Sequence, residues 1–162
     1  MATSTFHHWA ARIGSIIPGY TGYAERSDKR NADKVFRMGV AKLLREAVKA
    51  VEGYQAVLMR KGQVADAVQC EEVRQRIQLL ADRVEFARYG ASGLFSAQEI
   101  RAAELERIHA LDHQVAECAS SILTNSEAHL TTSTLALPAL LRACADLEKG
   151  LQERDTFIQQ HK

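Results

Sequence analysis

Proline, glycine and cysteine are scarce in this sequence, and their scarcity narrows the possible folds. The chain has 2 prolines and 9 glycines among 162 residues. The remainder is rich in alanine, leucine, glutamate, arginine, lysine and glutamine, which favour helix over sheet. No alternation of polar and apolar residues typical of a strand persists beyond a few positions. The composition therefore predicts an all-α fold.

A long apolar run is also missing. Nowhere do about 18 apolar residues follow one another, as a membrane-spanning helix requires. The first nine residues lack the basic start and apolar core of a secretory signal. The three cysteines, Cys70, Cys118 and Cys144, are an odd number at wide spacing, which fits neither a disulfide framework nor a zinc site. We expect a cytoplasmic protein, with peripheral membrane attachment as an alternative, whose cysteines are reduced and packed in the core.

Charge is nearly balanced overall but unevenly distributed. With 46% apolar residues, 25% charged residues and a net charge of +1, the chain has the composition of one globular domain spanning residues 1–162. Residues 1–61 contain 11 Lys and Arg against 5 Asp and Glu, whereas residues 62–162 contain 10 against 15. This asymmetry points to the first part of the chain as the place to look for a binding surface.

Apolar residues recur every three or four positions along four long segments. The pattern predicts an antiparallel up-down four-helix bundle with helices over 28–61, 63–89, 97–123 and 137–160. Ser96 and Glu99 form a capping-box pattern that predicts the start of the third bundle helix. Gly62 and Gly90 are expected to end the first and second helices, and Pro138 suits the first turn of the last.

A shorter amphipathic helix is predicted over residues 5–17, followed by a loop over 18–27 that contains two tyrosines. The apolar side of this helix leaves two alternatives open. It docks on the protein's own bundle, where Val68, Leu79 and Phe86 of the second bundle helix offer a surface, or it enters a membrane interface or a partner's groove. Its apolar residues are Phe6, Trp9, Ile13, Ile16 and Ile17.

The fragment that most resembles a metal motif is Glu106 to His109, followed by His113. A di-iron site in a helical bundle needs an inward Glu-x-x-His on each of two helices, and this sequence has one copy. A rotation of about 100° per residue also places these three side chains away from the stripe of Ile108 and Leu111. We therefore predict solvent-exposed histidines, no metal and no cofactor, and keep a metal-binding bundle enzyme as an alternative.

Three carboxylates, Asp33, Glu104 and Asp155, lie near apolar stripes. Such groups carry function when burial shifts their pKa, but they more commonly lie near helix ends or pair with arginine, which we expect here. The sequence contains no phosphate-binding glycine loop, nucleophile elbow or dinucleotide fingerprint. An enzyme is therefore not favoured.

Basic residues collect on one side of the first bundle helix: Arg30, Lys34, Arg37, Arg45 and Lys49. This side is either a solvated face or a surface for anionic lipid, nucleic acid or an acidic protein. Nucleic-acid binding would call for a more basic domain and a recognition motif, so it is the least favoured of these alternatives.

The segment Ile17-Pro18-Gly19-Tyr20-Thr21-Gly22-Tyr23 leads into a charged stretch that begins Glu25-Arg26-Ser27-Asp28-Lys29-Arg30. It resembles the N-terminal signature of uncharacterised bacterial helical proteins, in which an IPGY-x-GY segment precedes a charged helix. The resemblance covers roughly residues 16–37 and implies no activity. The glycines permit a tight path, and the tyrosines can wedge between helices or form a binding loop.

These observations together predict a non-enzymatic adaptor or assembly component. We expect a protein partner or self-association, with an anionic membrane surface as the first alternative and nucleic acid as the least favoured one. The residues predicted to bind the partner are Phe6, Trp9, Ile13, Ile16, Tyr20, Tyr23, Arg30, Lys34 and Arg37.

Overall fold

The computed structural model describes residues 2–23, 29–87, 93–96 and 100–161, and every regular element in them is an α-helix. The predicted all-α class is confirmed. The helices are α1 (Ala2–Ile16), α2 (Lys29–Arg60), α3 (Val64–Glu85), α4 (Gly93–Ser96), α5 (Ala102–Glu127), α6 (His129–Thr132) and α7 (Leu137–Gln160).

The predicted helix bounds are accurate for α2 and α7, and Gly62 lies in a positive-φ turn after α2. Pro138 lies in the first turn of α7. The prediction for α5 was wrong by five residues at its start, because the helix begins at Ala102. There the backbone N–H of Arg101 donates to the carboxylate of Glu104, at 3.2 Å. Residues 97–99 of the predicted capping box, and Gly90, lie outside the described residues.

The core is formed by the apolar stripes of the long helices, because an amphipathic helix gains stability mainly by burying its apolar face. On α2, Phe36, Val40 and Leu44 are fully buried. Ile108 and Val115 of α5 lie in the same cluster. α2 packs against α3 and α5, and α7 packs against α5 and α3.

Polar contacts along the helices give their relative directions. Arg37, near the start of α2, donates to the carbonyl oxygen of Glu85 at the end of α3, at 3.0 Å, so α2 and α3 are antiparallel. Arg76 and Arg83 of α3 pair with Glu148 and Asp155 of α7, at 3.2 and 2.9 Å, so α3 and α7 run in the same direction.

Consecutive long helices alternate in direction, so α3 and α7, the second and fourth of them, run parallel where they meet. α5 packs mainly against α1, α2 and α7.

The N-terminal helix docks on the protein's own chain, although not where the sequence predicted. α1 packs against α5. Val68, Leu79 and Phe86 of α3 were expected to receive it, and they are instead 65%, 69% and 68% exposed. α1 covers a second side of α5, beyond the apolar stripe of α5. Ala116 on that side is fully buried.

Ile17, just after α1, is buried against Gly39 of α2. A Cβ atom placed at Gly39 would overlap the Cγ2 methyl of Ile17. We expect Gly39→Ala to lower the free energy of unfolding by about 1–3 kcal/mol, since the tight packing must shift. Urea denaturation measures the change, and Gly53→Ala on the same helix, where a Cβ meets nothing within 4 Å, is the matched control. Equal stability of the two variants would contradict the predicted contact.

Within the described residues, no helix combines the length and apolar character that crossing a bilayer requires.

Candidate functional site: a buried arginine network

A buried arginine lies between three of the described helices. Arg154 of α7 is 1% exposed. Its Nε donates to Oδ1 of Asp112 on α5, and its Nη2 donates to Oδ1 of Asp33 on α2, both at 2.6 Å. One guanidinium therefore ties three helices together through two buried carboxylates. Its planar fork of donors is suited to two carboxylates at once, which a lysine would not match.

The loop after α1 joins the same network through its two tyrosines. The hydroxyl of Tyr23 donates to Oδ2 of Asp112 at 2.6 Å, and that of Tyr20 donates to the same oxygen at 3.3 Å. Arg154 also donates to the Tyr23 oxygen, at 3.2 Å. These bonds link residues 20–23 to α5 and α7, which lie about 90 to 130 residues further along the chain.

A second arginine completes the cluster at the edge of the core. The Nε of Arg37 donates to the remaining oxygen of Asp33 at 2.8 Å. The same guanidinium donates to the carbonyl oxygens of Val84 and Glu85, where α3 ends. Unpaired carbonyls make the C-terminus of a helix favourable for a cation. Arg37 therefore stabilises the end of α3 as well as the buried carboxylate.

All four oxygens of the two aspartates accept hydrogen bonds from this chain. Burial raises the pKa of Asp112, while the Arg154 guanidinium opposes that rise. Burial, and then the Asp112 charge, raise the pKa of Tyr20 and Tyr23, so both hydroxyls remain protonated donors at neutral pH. The network thus holds two carboxylates, two guanidinium groups and two hydroxyls in place.

The path of the loop depends on its glycines, as the sequence indicated. Gly19 and Gly22 have φ of 87° and 85°, which glycine adopts at little cost. A Cβ atom at Gly22 would lie 3.1 Å from Nε2 of His109. The glycine allows the backbone to pass directly over this histidine.

The prediction that His109 and His113 are solvent-exposed was wrong. They are 1% and 7% exposed. His109 lies against the rings of Tyr20 and Tyr23, with centroids 6.4 and 5.3 Å away, and His113 meets Trp9 edge-on at 5.3 Å. The prediction assumed that α5 has one buried stripe. In the structure, the N-terminal segment covers a second side of α5.

The candidate metal ligands do not converge. Glu106 is exposed, while His109 one turn later is buried. Within the described part of the chain, no three His, Cys, Asp or Glu side chains are grouped so as to hold a metal ion.

The predicted partner-binding residues differ in their burial. Ile13, Tyr20 and Tyr23 are buried against this protein's own helices, and Arg37 belongs to the buried network. These four side chains contact other parts of this chain, so they are not exposed to a partner in this structure. Trp9 and Ile16 are half-buried, Arg30 and Lys34 are exposed, and the side chain of Phe6 lies outside what the structure describes.

Two central residues, Asp112 and Arg154, were missed in the sequence. Asp112 follows Ile108 by four positions and so lies about 40° from it on the helix, near the apolar stripe, which was the only available signal. The predicted arginine pairing of Asp33 and Asp155 is confirmed, to Arg154 and Arg83 respectively.

The cysteines are all free. Cys70 and Cys144 are buried as predicted, and Cys118 is only partly buried. Burial raises the pKa of Cys144 to about 11 and also raises that of Cys118. Because the thiolate is the nucleophilic form, these thiols are poorly reactive at neutral pH.

Exposed apolar residues define a surface on α3. The α3 outer stripe consists of Val64, Val68, Leu79 and Phe86, which are 54%, 65%, 69% and 68% exposed. At about 100° per residue, these four positions fall within about 60° of one another on the helix. They face away from the buried residues of α3.

Exposed basic residues define a corresponding surface on α2. The α2 basic stripe consists of Arg30, Lys34, Lys42 and Lys49, with Met38 among them at 43% exposed. Arg45, predicted to belong to it, instead pairs with Asp82 and Glu85 of α3.

No protein-family model, curated protein or solved structure matches this chain. The resemblance of residues 16–37 to bacterial helical proteins stays a prediction.

Proposed function

We propose that this chain is a non-enzymatic assembly component that binds a second copy of itself. The observation that carries the proposal is the α3 outer stripe, in which four large apolar side chains are each more than half exposed. The stripe forms two pairs, Val64 with Val68 and Leu79 with Phe86, about 16 Å apart along the helix. Exposed apolar side chains grouped in this way mark interaction surfaces more often than scattered ones do. We take α2, α3, α5 and α7 as a four-helix bundle that holds this surface rigid.

A second copy is the partner that the charges favour. Exposed Glu72 adjoins the α3 outer stripe, whereas Glu71, Asp82 and Glu85 pair with arginines of this chain. The α2 basic stripe on another copy is complementary to it, with Met38 as an apolar contact. Complementary surfaces on one chain support self-association, and complementary charges raise the rate and selectivity of encounter.

The N-terminal segment has a supporting role in this proposal. The tyrosine loop, residues 17–23, and the inner side of α1 stabilise the domain. The exposed basic residues Arg30 and Lys34 of the predicted site are therefore available to the partner. A cytoplasmic location remains part of the proposal, and three free cysteines are compatible with a reducing compartment.

The test is the oligomeric state of the full chain carrying Leu79→Glu and Phe86→Glu together. We expect self-association of the native chain, measured by analytical ultracentrifugation across concentrations, and at least a tenfold weaker association of the double variant. Losing the burial of two large apolar side chains is sufficient for such a change. The matched control is Leu130→Glu on α6, where an equally exposed leucine at 72% lies off both stripes.

A native chain that stays monomeric at every concentration would contradict the proposal, as would equal effects of the control and the double variant. Co-flotation of the native monomer with vesicles containing anionic lipid would instead favour the peripheral membrane alternative. Salt-dependent retardation of DNA or RNA would favour nucleic-acid binding, and a stoichiometric metal in the purified protein would favour the metal-binding enzyme.

A further inference from the structure

Two histidines on α5 lie under one continuous piece of chain. His109 and His113 are one helical turn apart, and both are buried although they carry ring nitrogens that titrate in mildly acidic solution. The covering piece is residues 8–23, which comprises most of α1 and the tyrosine loop. Trp9 covers His113, while Tyr20, Gly22 and Tyr23 cover His109.

We propose that His109 and His113 act as an acid-sensitive latch, which holds residues 8–23 on α5 when neutral and releases them when protonated. The long helices α2, α3, α5 and α7 stay folded during the release. A charged imidazolium requires solvation that a site closed by Trp9, Tyr20 and Tyr23 does not supply. Lifting residues 8–23 opens both histidines to water at once.

The charged neighbours of His113 come from two elements. On α5, Glu117 is 3.3 Å from Nε2 and favours the protonated form. On α1, Arg12 and His8 disfavour it, and Arg12 also lies 5.5 Å from the Trp9 ring and 3.8 Å from Glu117. Burial is the largest influence, and it lowers the pKa of His113.

The titratable neighbours of His109 are Tyr20 and Tyr23 of the loop, whose raised pKa values keep them neutral. Burial lowers the pKa of His109 from 6.5 to about 4, and the Leu105 backbone opposes this shift only in part. The nearby charges are those of the buried network, in which Arg154 pairs with both Asp112 and Asp33, and Arg37 pairs with Asp33.

The direction of the pH effect follows from these values. A histidine whose pKa is lowered in the docked state binds protons more tightly when released, so acid favours release. Docking is at full strength above about pH 6.5 and weakens as the pH falls toward about 4. His109 alone raises the release equilibrium about 30-fold between pH 7.5 and pH 5. Asp112, whose pKa is raised, binds its proton more tightly in the docked state, so acid acting on Asp112 favours docking. The contribution of the histidines must therefore be isolated by substitution.

Hydrogen exchange of the full-length protein measures the release equilibrium directly, once the intrinsic pH dependence of exchange is removed. We expect the opening of α1 amides to increase about 30-fold or more from pH 7.5 to pH 5 in the native chain, while α7 amides stay more strongly protected. In the double variant His109→Gln and His113→Gln, the increase should fall below about threefold. The control His129→Gln alters a half-buried histidine on α6 that contacts Tyr54 of α2, and it should retain the native response.

Equal protection of α1 and α7 at every pH would overturn the latch, because release would then require global unfolding. An undiminished acid response in the double variant would overturn it as well. If residues 8–23 of the double variant are already released at pH 7.5, NMR titration of the histidines in the native chain tests the latch instead. Protonation of His109 must then coincide with exposure of Trp9, the single tryptophan, to a soluble quencher. Protonation while Trp9 stays shielded would contradict the proposal.

Discussion

Replacing Arg154 with methionine is expected to lower the free energy of unfolding by about 3–5 kcal/mol. Methionine fills much of the space of the arginine stem but leaves Asp33 and Asp112 without their shared cation. Removing one partner of a fully buried ion pair is costly because the remaining charge stays desolvated. Here one side chain serves two carboxylates that are 3% and 0% exposed. Urea denaturation at pH 7.5, followed by circular dichroism, measures the loss.

The matched control for this variant is Arg76→Met. Arg76 of α3 pairs with Glu148 of α7 at 3.2 Å. Unlike Arg154, its side chain is 42% exposed. An exposed pair contributes little because water screens it, so we expect a loss below about 1 kcal/mol. Similar losses in the two variants would mean that Arg154 is not buried among carboxylates.

Replacing Tyr23 with phenylalanine is the second large expected effect, a loss of about 1.5–3 kcal/mol. The substitution keeps the aromatic ring against Phe95 and His109 while removing the hydroxyl that donates to Asp112 at 2.6 Å. A buried hydrogen bond to a charged group contributes more than a neutral one, and its loss leaves an Asp112 oxygen with one long bond from Tyr20.

Tyr54→Phe is the matched control for Tyr23→Phe. Tyr54 is half-buried on α2, and its ring contacts His129. We expect its stability to change by less than about 0.5 kcal/mol, as for most partly exposed substitutions. If Tyr23→Phe has an equally small effect, the loop does not donate to the buried aspartate.

The long helices could be predicted from the sequence because their cores repeat every three or four residues. Phe36, Val40 and Leu44 show that pattern on α2, and the bounds of α7 match the prediction. The start of α5 was missed because a capping pattern is short and local. Residues 96–99 fit the pattern, although the helix begins at Ala102.

The buried network could not be predicted because its members come from distant parts of the chain. Tyr23 and Arg154 are 131 residues apart, and no local spacing relates them. His109 and His113 were assigned to solvent because only one covered side of α5 was considered. Burial of polar groups on the second side depends on where α1 docks, which is a property of tertiary packing.

The tyrosine loop is fastened to the helices through Asp112. A double-mutant cycle with Tyr23→Phe and Asp112→Asn tests it most directly, since it isolates the interaction between the two side chains. We predict a coupling free energy of about 1–3 kcal/mol from urea denaturation of the four proteins. Effects of the two substitutions that add within about 0.3 kcal/mol would contradict the claim.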